Sequence, residues 1–218
     1  TGFVGRALVR RALGDGRFVR LALRRADSHS SATGVVVGDI DGETQWAAAL
    51  TGVDTVIHLA ARVHVMAEGA ADPLAAFRAI NTEGTLALAR QAASAGVRRL
   101  VMISSIKVNG ESTLAGQPFT AHQDARPEDP YGRSKWEAEL RVRDLAREMG
   151  LEVVIIRPPL VYGPGVKANF AAMMRAVQRG LPLPLASVTQ NRRSLVSLDN
   201  LVDLLITCID HPAAANQT

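Results

Sequence analysis

Thr1-Gly2-Phe3-Val4-Gly5 opens the chain as the end of a glycine-rich turn, and Val4–Leu13 behind it carries apolar residues at helical spacing. A turn of this kind joins a strand to a helix. Gly2 and Gly5 let the backbone approach a pyrophosphate and let the helix pack on a sheet, while the helix start offers free amides and a favourable dipole. A complete fingerprint has a strand and an earlier glycine in front of the turn, and this sequence has neither. The expectation is therefore that the first, central strand is missing. The polar ending Ala213–Thr218 is read in the same way, as an early stop.

Outward from that turn, short apolar runs alternate with longer helical patterns. Val19–Leu23, Val35–Val37, Val53–Leu59, Leu100–Ser104 and Val153–Arg157 read as strands, apolar on both sides as buried parallel strands are. Val4–Leu13, Gln45–Leu50, Pro73–Ala95 and Arg133–Met149 read as helices. This order predicts an α/β fold, a Rossmann-type doubly wound parallel sheet with helices on both faces. After about residue 160 the texture changes to prolines and glycines, a helix near Asn169–Gly180, a strand at Leu195–Ser197 and a helix from Asn200. Residues 1–160 are thus expected to form the nucleotide-binding domain and 161–218 part of a smaller substrate-binding lobe.

The 218 residues, 47% of them hydrophobic, suffice for a sizeable core. No apolar run reaches the ~20 residues that span a bilayer, and a soluble, cytoplasmic protein is expected. Cys208 has no partner for an internal disulfide and reads as a core residue. The net charge of +4 comes from scattered arginines without a dense basic run, so an anionic small molecule is favoured over nucleic acid. No metal-ligand spacing occurs.

Tyr131-Gly132-Arg133-Ser134-Lys135 places a tyrosine and a lysine on one face of a helix that Asp129-Pro130 starts. Such a pair is common by itself, but four further features arrive in order. Gly38-Asp39-Ile40 closes a strand, and His58-Leu59-Ala60-Ala61 ends another with small residues on which a cofactor could lie. Asn81-Thr82-Glu83-Gly84-Thr85 sits in a helical stretch despite poor helix formers. Ser104-Ser105 ends the strand before the Tyr131 loop. With Arg157-Pro158-Pro159-Leu160-Val161-Tyr162-Gly163-Pro164-Gly165 and the run from Arg192 to Asn200, this ordered set resembles the extended short-chain dehydrogenase/reductase family, in its nucleotide-sugar epimerase/dehydratase branch.

The resemblance implies roles. Tyr131 would be the general base at a sugar hydroxyl. Lys135 would help lower its pKa and hold the nicotinamide ribose, and Ser105 would hydrogen-bond the reacting oxygen. Gly2, Phe3, Val4, Gly5, Asp39, Ile40, Leu59, Ala60, Ala61, Asn81, Ser104 and Pro158 would contact the cofactor. Arg24, beside Arg25 and ahead of Asp27, stands where relatives that use NAD place an acid, so NAD and NADP both remain candidates. Ser105, Lys107, Tyr131, Asn169, Phe170 and Arg192, with Arg193 an alternative to Arg192, would hold a nucleotide sugar, most simply a UDP-hexose. Asp199 and Asn200 read as helix N-cap residues.

Two departures leave the sugar open: Leu160 where relatives carry asparagine, and Asn109 where they carry tyrosine. Ile106-Lys107 replaces the Asp-Glu pair of 4,6-dehydratases, which disfavours dehydration. The leading expectation is 4-epimerisation through a transient 4-keto sugar; an NADPH-dependent 4-keto-sugar reductase and a non-catalytic dinucleotide sensor are the alternatives. A homodimer through the Pro73–Ala95 and Arg133–Met149 helices is implied by the resemblance alone.

Overall fold

The computed structural model describes residues 2–26, 32–63, 72–166, 168–182 and 191–218, the side chains of Ala168 and Asn169 excepted. Thr1, Asp27 and the Asn169 side chain, all singled out from sequence, lie outside the described residues. Helix α1 (Phe3–Gly14) leads to strands β1 (Arg20–Leu23) and β2 (Thr33–Val36), then α2 (Ala47–Leu50) and β3 (Thr55–His58). Next come α3 (Pro73–Arg78), a π-helical turn (Ala79–Gly84), α4 (Thr85–Ser94) and β4 (Arg99–Ile103). A 3-10 turn (Ile106–Val108) precedes the long α5 (Pro130–Met149) and β5 (Glu152–Ile156). The chain ends with β6 (Leu160–Tyr162), α6 (Ala168–Gln178), β7 (Leu195–Ser197) and α7 (Leu198–Asp210).

Successive residues of a strand point to opposite faces, and here each face has its own helical layer. Leu100 of β4 and Val153 and Ile155 of β5 pack with Trp46, Leu50, Leu86, Ala89, Val142 and Leu145 on the α2, α4 and α5 side. Val101 and Val154 pack with Leu8 and Ala12 of α1 and Leu201 and Leu205 of α7 on the other. Each fully buried side chain of this kind contributes roughly 1.5–3 kcal/mol in transfer terms. This is the doubly wound arrangement the apolar strands require.

The strands are parallel throughout, with β4 central in β3-β4-β5 and Leu100 opposite both Val56 and Val153. The single sheet expected from sequence is nevertheless divided. β1 pairs with β2, Arg20 opposite Thr33, and no described strand links that ladder to β3-β4-β5. A third ladder joins β6 to β7, Leu160 opposite Leu195. β6 has no counterpart among the sequence-read strands, because three residues between prolines and a glycine are too few to display a period.

Two further corrections concern helices. The Pro73–Ala95 helix is interrupted by the π turn, for reasons found at the site. Helix α7 is capped not by Asp199 or Asn200 but by Ser197, whose hydroxyl accepts from the Asn200 amide at 3.1 Å. At its other end the buried Arg99 donates to the carbonyls of Cys208 (2.7 Å), Ile209 (3.0 Å) and His211 (3.0 Å) and pairs with Glu152 at 2.7 Å. That cation satisfies the orphan carbonyls and holds α7 on the sheet. Although it follows residue 160, α7 shares the face of α1; we propose the domain boundary with α7 on the sheet side.

Candidate active site

The first turn of α5 is built to present Tyr131. Pro130 supplies a pre-set φ at the first helical position, and Asp129 Oδ1 accepts from the Gly132 amide at 2.6 Å. Gly132 is required by a close approach: a Cβ there would meet the Lys107 carbonyl oxygen at 2.9 Å and Asp129 Oδ1 at 3.0 Å. The helix start therefore sits directly on the turn that follows β4. The Ser105 side chain acts on the Tyr131 hydroxyl in the sense that favours its ionised form, and the Tyr131 ring meets Phe77 edge-on, 6.0 Å between centroids at 64°.

Burial pushes the Tyr131 phenol above its ordinary pKa; the Ser105 side chain opposes this, Asp129 adds to it and Lys107 opposes it. The ligand-free protein thus keeps the phenol protonated, and the lowering expected from Lys135 is not found in this state. Lys135 shares the helix face with Tyr131 but is itself buried at 1% exposure, and burial, offset only in part by Glu139, lowers its pKa from 10.5 to about 8. Among the described residues its Nζ has no hydrogen-bond partner, and neither has the buried Ser104 Oγ at the end of β4. Two unsatisfied polar atoms in the interior cost stability unless something else comes to them. Hydroxyls of a ribose would satisfy both, so the site fits a nicotinamide cofactor.

His58 ends β3 next to this cluster. Its Nε2 lies 3.0 Å from Thr85 Oγ1, whose own hydrogen goes to the Asn81 carbonyl at 2.7 Å. Thr85 must therefore accept from His58, which fixes the Nε2–H tautomer. Burial first and the Lys135 charge second bring the His58 pKa down to about 3, so the ring stays neutral beside the ammonium. Sequence reading used His58 only as part of a strand-ending motif; a histidine closing an apolar parallel strand was the available signal.

The π turn explains the asparagine and glycine in a helical stretch. Asn81 Nδ2 donates to the Arg62 carbonyl and to Ser134 Oγ, both at 3.0 Å, while its Oδ1 accepts from the Arg62 amide at 2.8 Å. Thr82 Oγ1 donates to the Ser134 carbonyl at 2.9 Å. Gly84 lies so close to Ile40 that a Cβ would come within 2.5 Å of it. With both amide hydrogens used, Asn81 is best proposed as holding the chain after β3 against α5, not as a cofactor ligand. Widened turns of this type recur at functional sites.

The remaining sequence-selected residues divide into neighbours and outliers. Gly2 begins α1 in an extended conformation without a side-chain cap, leaving the amides of Phe3 and Val4 and the buried Gly5 at a free helix start. Leu59 and Ala61 are half-buried and Ala60 is exposed after β3. Arg24 and Asp39 pair at 2.6 Å, both largely exposed, so two positions read separately form one unit. The Pro158 carbonyl accepts from the Ile106 amide at 3.2 Å and so ties the segment after β5 to the Ser105 turn. Lys107 binds Asp129 at 2.5 Å and Glu111 at 2.8 Å. Phe170 stacks near Tyr162 at 5.8 Å, and Arg192 and Arg193 are exposed before β7. Among the described residues no group of three or more metal-ligating side chains is assembled, and no helix is long and apolar enough to cross a membrane.

Comparison with known proteins agrees with this geometry. The NAD dependent epimerase/dehydratase family matches residues 1–218. UDP-glucose 4-epimerase from Vibrio cholerae is 53% identical over 218 residues, covering 100% of this chain and 66% of the relative. The chain spans between half and about two thirds of the first curated relatives it matches, from 50% to 66%. Among solved structures, MoeE5 in complex with UDP-glucose and NAD superimposes with a TM-score of 0.80 at 27% identity, covering 97% of this chain and 69% of that one. A short-chain dehydrogenase/reductase superfamily protein from Agrobacterium tumefaciens with bound NAD gives 0.78 at 26% identity, with 98% and 73% covered. With its Rossmann-like layers, its Tyr131–Lys135 face and a match along its whole length, the chain belongs to the NAD dependent epimerase/dehydratase family.

Proposed function

We propose that the protein is an NAD-dependent nucleotide-sugar 4-epimerase acting on a UDP-hexose. The observation that carries this is the pair of buried atoms without a hydrogen-bond partner among the described residues, Lys135 Nζ and Ser104 Oγ, on the helix face and strand end that flank Tyr131 and Ser105. A pure binder has no use for a tyrosine set on the same helix face as a buried lysine. The 53% identical UDP-glucose 4-epimerase supports the reaction, and the NAD named with two structural neighbours supports the cofactor.

The bound nicotinamide supplies a hydride acceptor and donor. Tyr131 takes the proton of the sugar 4-hydroxyl as that carbon is oxidised and returns it after the keto sugar has turned its other face. Ser105 donates to the oxygen that changes charge. Lys135 would hold the ribose hydroxyls of the cofactor, and its ammonium would favour the ionised phenol against the burial that raises its pKa. The free start of α1 receives the pyrophosphate, with Leu59, Ala60, Ala61, Asp39, Ile40 and Pro158 along the cofactor. Phe170, Asn169 and Arg192 belong to the nucleotide side, where an arginine fork suits phosphate oxygens.

A cytoplasmic location and a homodimer are part of the same proposal; Leu140 and Met149 of α5 leave apolar surface exposed for a partner. One observation favours a second reading. Arg24, at the end of β1, has the chemistry for a 2′-phosphate, as an NADPH-dependent 4-keto-sugar reductase would need. The test is a turnover assay of the full-length protein with UDP-hexoses, with and without NAD or NADPH. Interconversion of 4-epimers without net cofactor change supports the epimerase, whereas stoichiometric NADPH loss without epimerisation replaces it by the reductase.

A further inference from the structure

Lys107 is the charged side chain the expected mechanism leaves without a clear task. It was read as a substrate contact, yet its ammonium is already engaged, at 2.5 Å by Asp129 Oδ2 and at 2.8 Å by Glu111. Asp129 is shared: its other oxygen caps α5 through the Gly132 amide at 2.6 Å. On the opposite side, Ser105 Oγ accepts from the Lys107 amide at 3.3 Å, so the hydroxyl that meets Tyr131 also starts the turn carrying Lys107. The Gly132 Cα faces the Lys107 carbonyl with no room for a Cβ. Four contacts therefore join Ser105, Lys107, Asp129 and Gly132 into one clamp around the phenol.

We propose that Lys107 is a positioning residue: through Asp129 it fastens the first turn of α5 to the turn after β4 and so sets where Tyr131 stands relative to Ser105. The inference rests on the reading of Tyr131 as the proton-transferring group. The charges that act on the phenol are Lys107 from the 3-10 turn and Asp129 from the start of its own helix; Lys135, on the same helix face, is not among them. The α3 side presents the Phe77 ring, with the Arg62 guanidinium 5.5 Å from its centroid. Asp129 works against ionisation of the phenol and Lys107 for it, so removing the lysine alone leaves an uncompensated carboxylate beside the reacting oxygen. Burial opposes the charge on Lys107, but its bonds to Asp129 and Glu111 outweigh burial and raise its pKa, so the clamp is charged at any working pH.

The test uses full-length protein and the variants Lys107→Gln, Lys107→Arg, Asp129→Asn and the Lys107→Gln/Asp129→Asn double variant. Lys107→Gln is expected to lower kcat about tenfold with KM nearly unchanged and to move the rising limb of the kcat pH profile to higher pH, within the range general acid–base groups command. Lys107→Arg should recover most of the loss, and the double variant should be no worse than Lys107→Gln, because both changes break one pair. A rise in KM with kcat intact would overturn the inference and return Lys107 to substrate binding; so would additive losses in the double variant.

An activity-independent readout separates this from failure of the enzymatic reading. In protein carrying tyrosine labelled with 13C at Cζ, Tyr131 is the resonance lost in Tyr131→Phe. Its titration should move up in Lys107→Gln and down in Asp129→Asn. Unchanged titration in Asp129→Asn, which keeps a capping oxygen and so the fold, would sink the inference even if the wild-type protein proved to turn nothing over.

Discussion

The clusters at the two ends of the proposed cofactor path treat charge in opposite ways. At the β1–β2 end, Arg24 and Asp39 pair in solvent, with side chains 71% and 81% exposed. At the β3–β4 end, Lys135 is buried without a hydrogen-bond partner among the described residues, near a histidine kept neutral by burial. A solvent-exposed pair contributes little and is easily replaced, whereas a buried unpaired ammonium is held at a cost and persists because the surrounding packing leaves it no escape. The contrast separates the part of the site that adapts to its ligand from the part that is preorganised for it.

The most severe way to break the preorganised end is Tyr131→Phe. Loss of the hydroxyl should reduce kcat by about 10²–10⁴ or more, the range a general acid–base group supplies, while NAD binding measured by calorimetry changes little. Weak turnover with weak binding would instead point to a structural role for the phenol.

Lys135→Met comes next and has two opposed effects. Turnover should fall with Tyr131→Phe, yet the ligand-free protein should become more stable. The folded-state pKa of Lys135 is lowered from 10.5 to about 8, which corresponds to roughly 3 kcal/mol at neutral pH. The sign follows from linkage. Below about pH 8 both folded and unfolded chains hold the proton and the cost is present in full. As pH rises from about 8 to 10.5 the folded chain sheds its proton first and regains stability. Denaturant melts should therefore place the variant above wild type at pH 7, with the gap closing toward pH 10.5. A gap that stayed constant across that range would mean the gain came from packing.

What could be read from sequence was local. Asp129-Pro130 as a helix start, Tyr131 and Lys135 on one face, and strands at Leu100 and Val153 depend on neighbours within a few residues, and the structure places them so. Asn81 was legible as an anomaly but not as a solution, because its partners Arg62 and Ser134 lie 19 and 53 residues away. The pairing of Lys107 was out of reach for the same reason: its carboxylate partner Asp129 is 22 residues downstream. The separation of the β1-β2 and β3-β4-β5 ladders is consistent with the sequence reading that a central strand is missing, whereas the short β6-β7 ladder is a property of pairing that apolar runs do not specify.

A milder way to disturb the preorganised end is Gly132→Ala, which removes no catalytic atom. The added Cβ would come within 2.9 Å of the Lys107 carbonyl, a backbone atom that cannot swing aside. Overpacking of this kind costs about 1–3 kcal/mol, and here it acts by separating Ser105 from Tyr131. The expected result is a modest fall in the denaturation midpoint with a several-fold fall in kcat. Lost stability with kcat unchanged would show that the spacing of the two turns is not what sets the rate.

The smallest effect on the fold is expected at the adaptable end. Arg24→Ala removes one half of an exposed ion pair, and such pairs hold little net stability because water and salt compete for both partners. Thermal denaturation should be indistinguishable from wild type. The informative quantity is the ratio of NADP to NAD affinity. If Arg24 leaves Asp39 to meet a 2′-phosphate, its loss weakens NADP alone and the effect fades with added salt. If Arg24 instead keeps Asp39 from repelling the cofactor phosphates, both dinucleotides weaken together. In that case Asp39→Asn in the same background restores them, and the exposed pair serves to neutralise its own carboxylate and does not choose the cofactor.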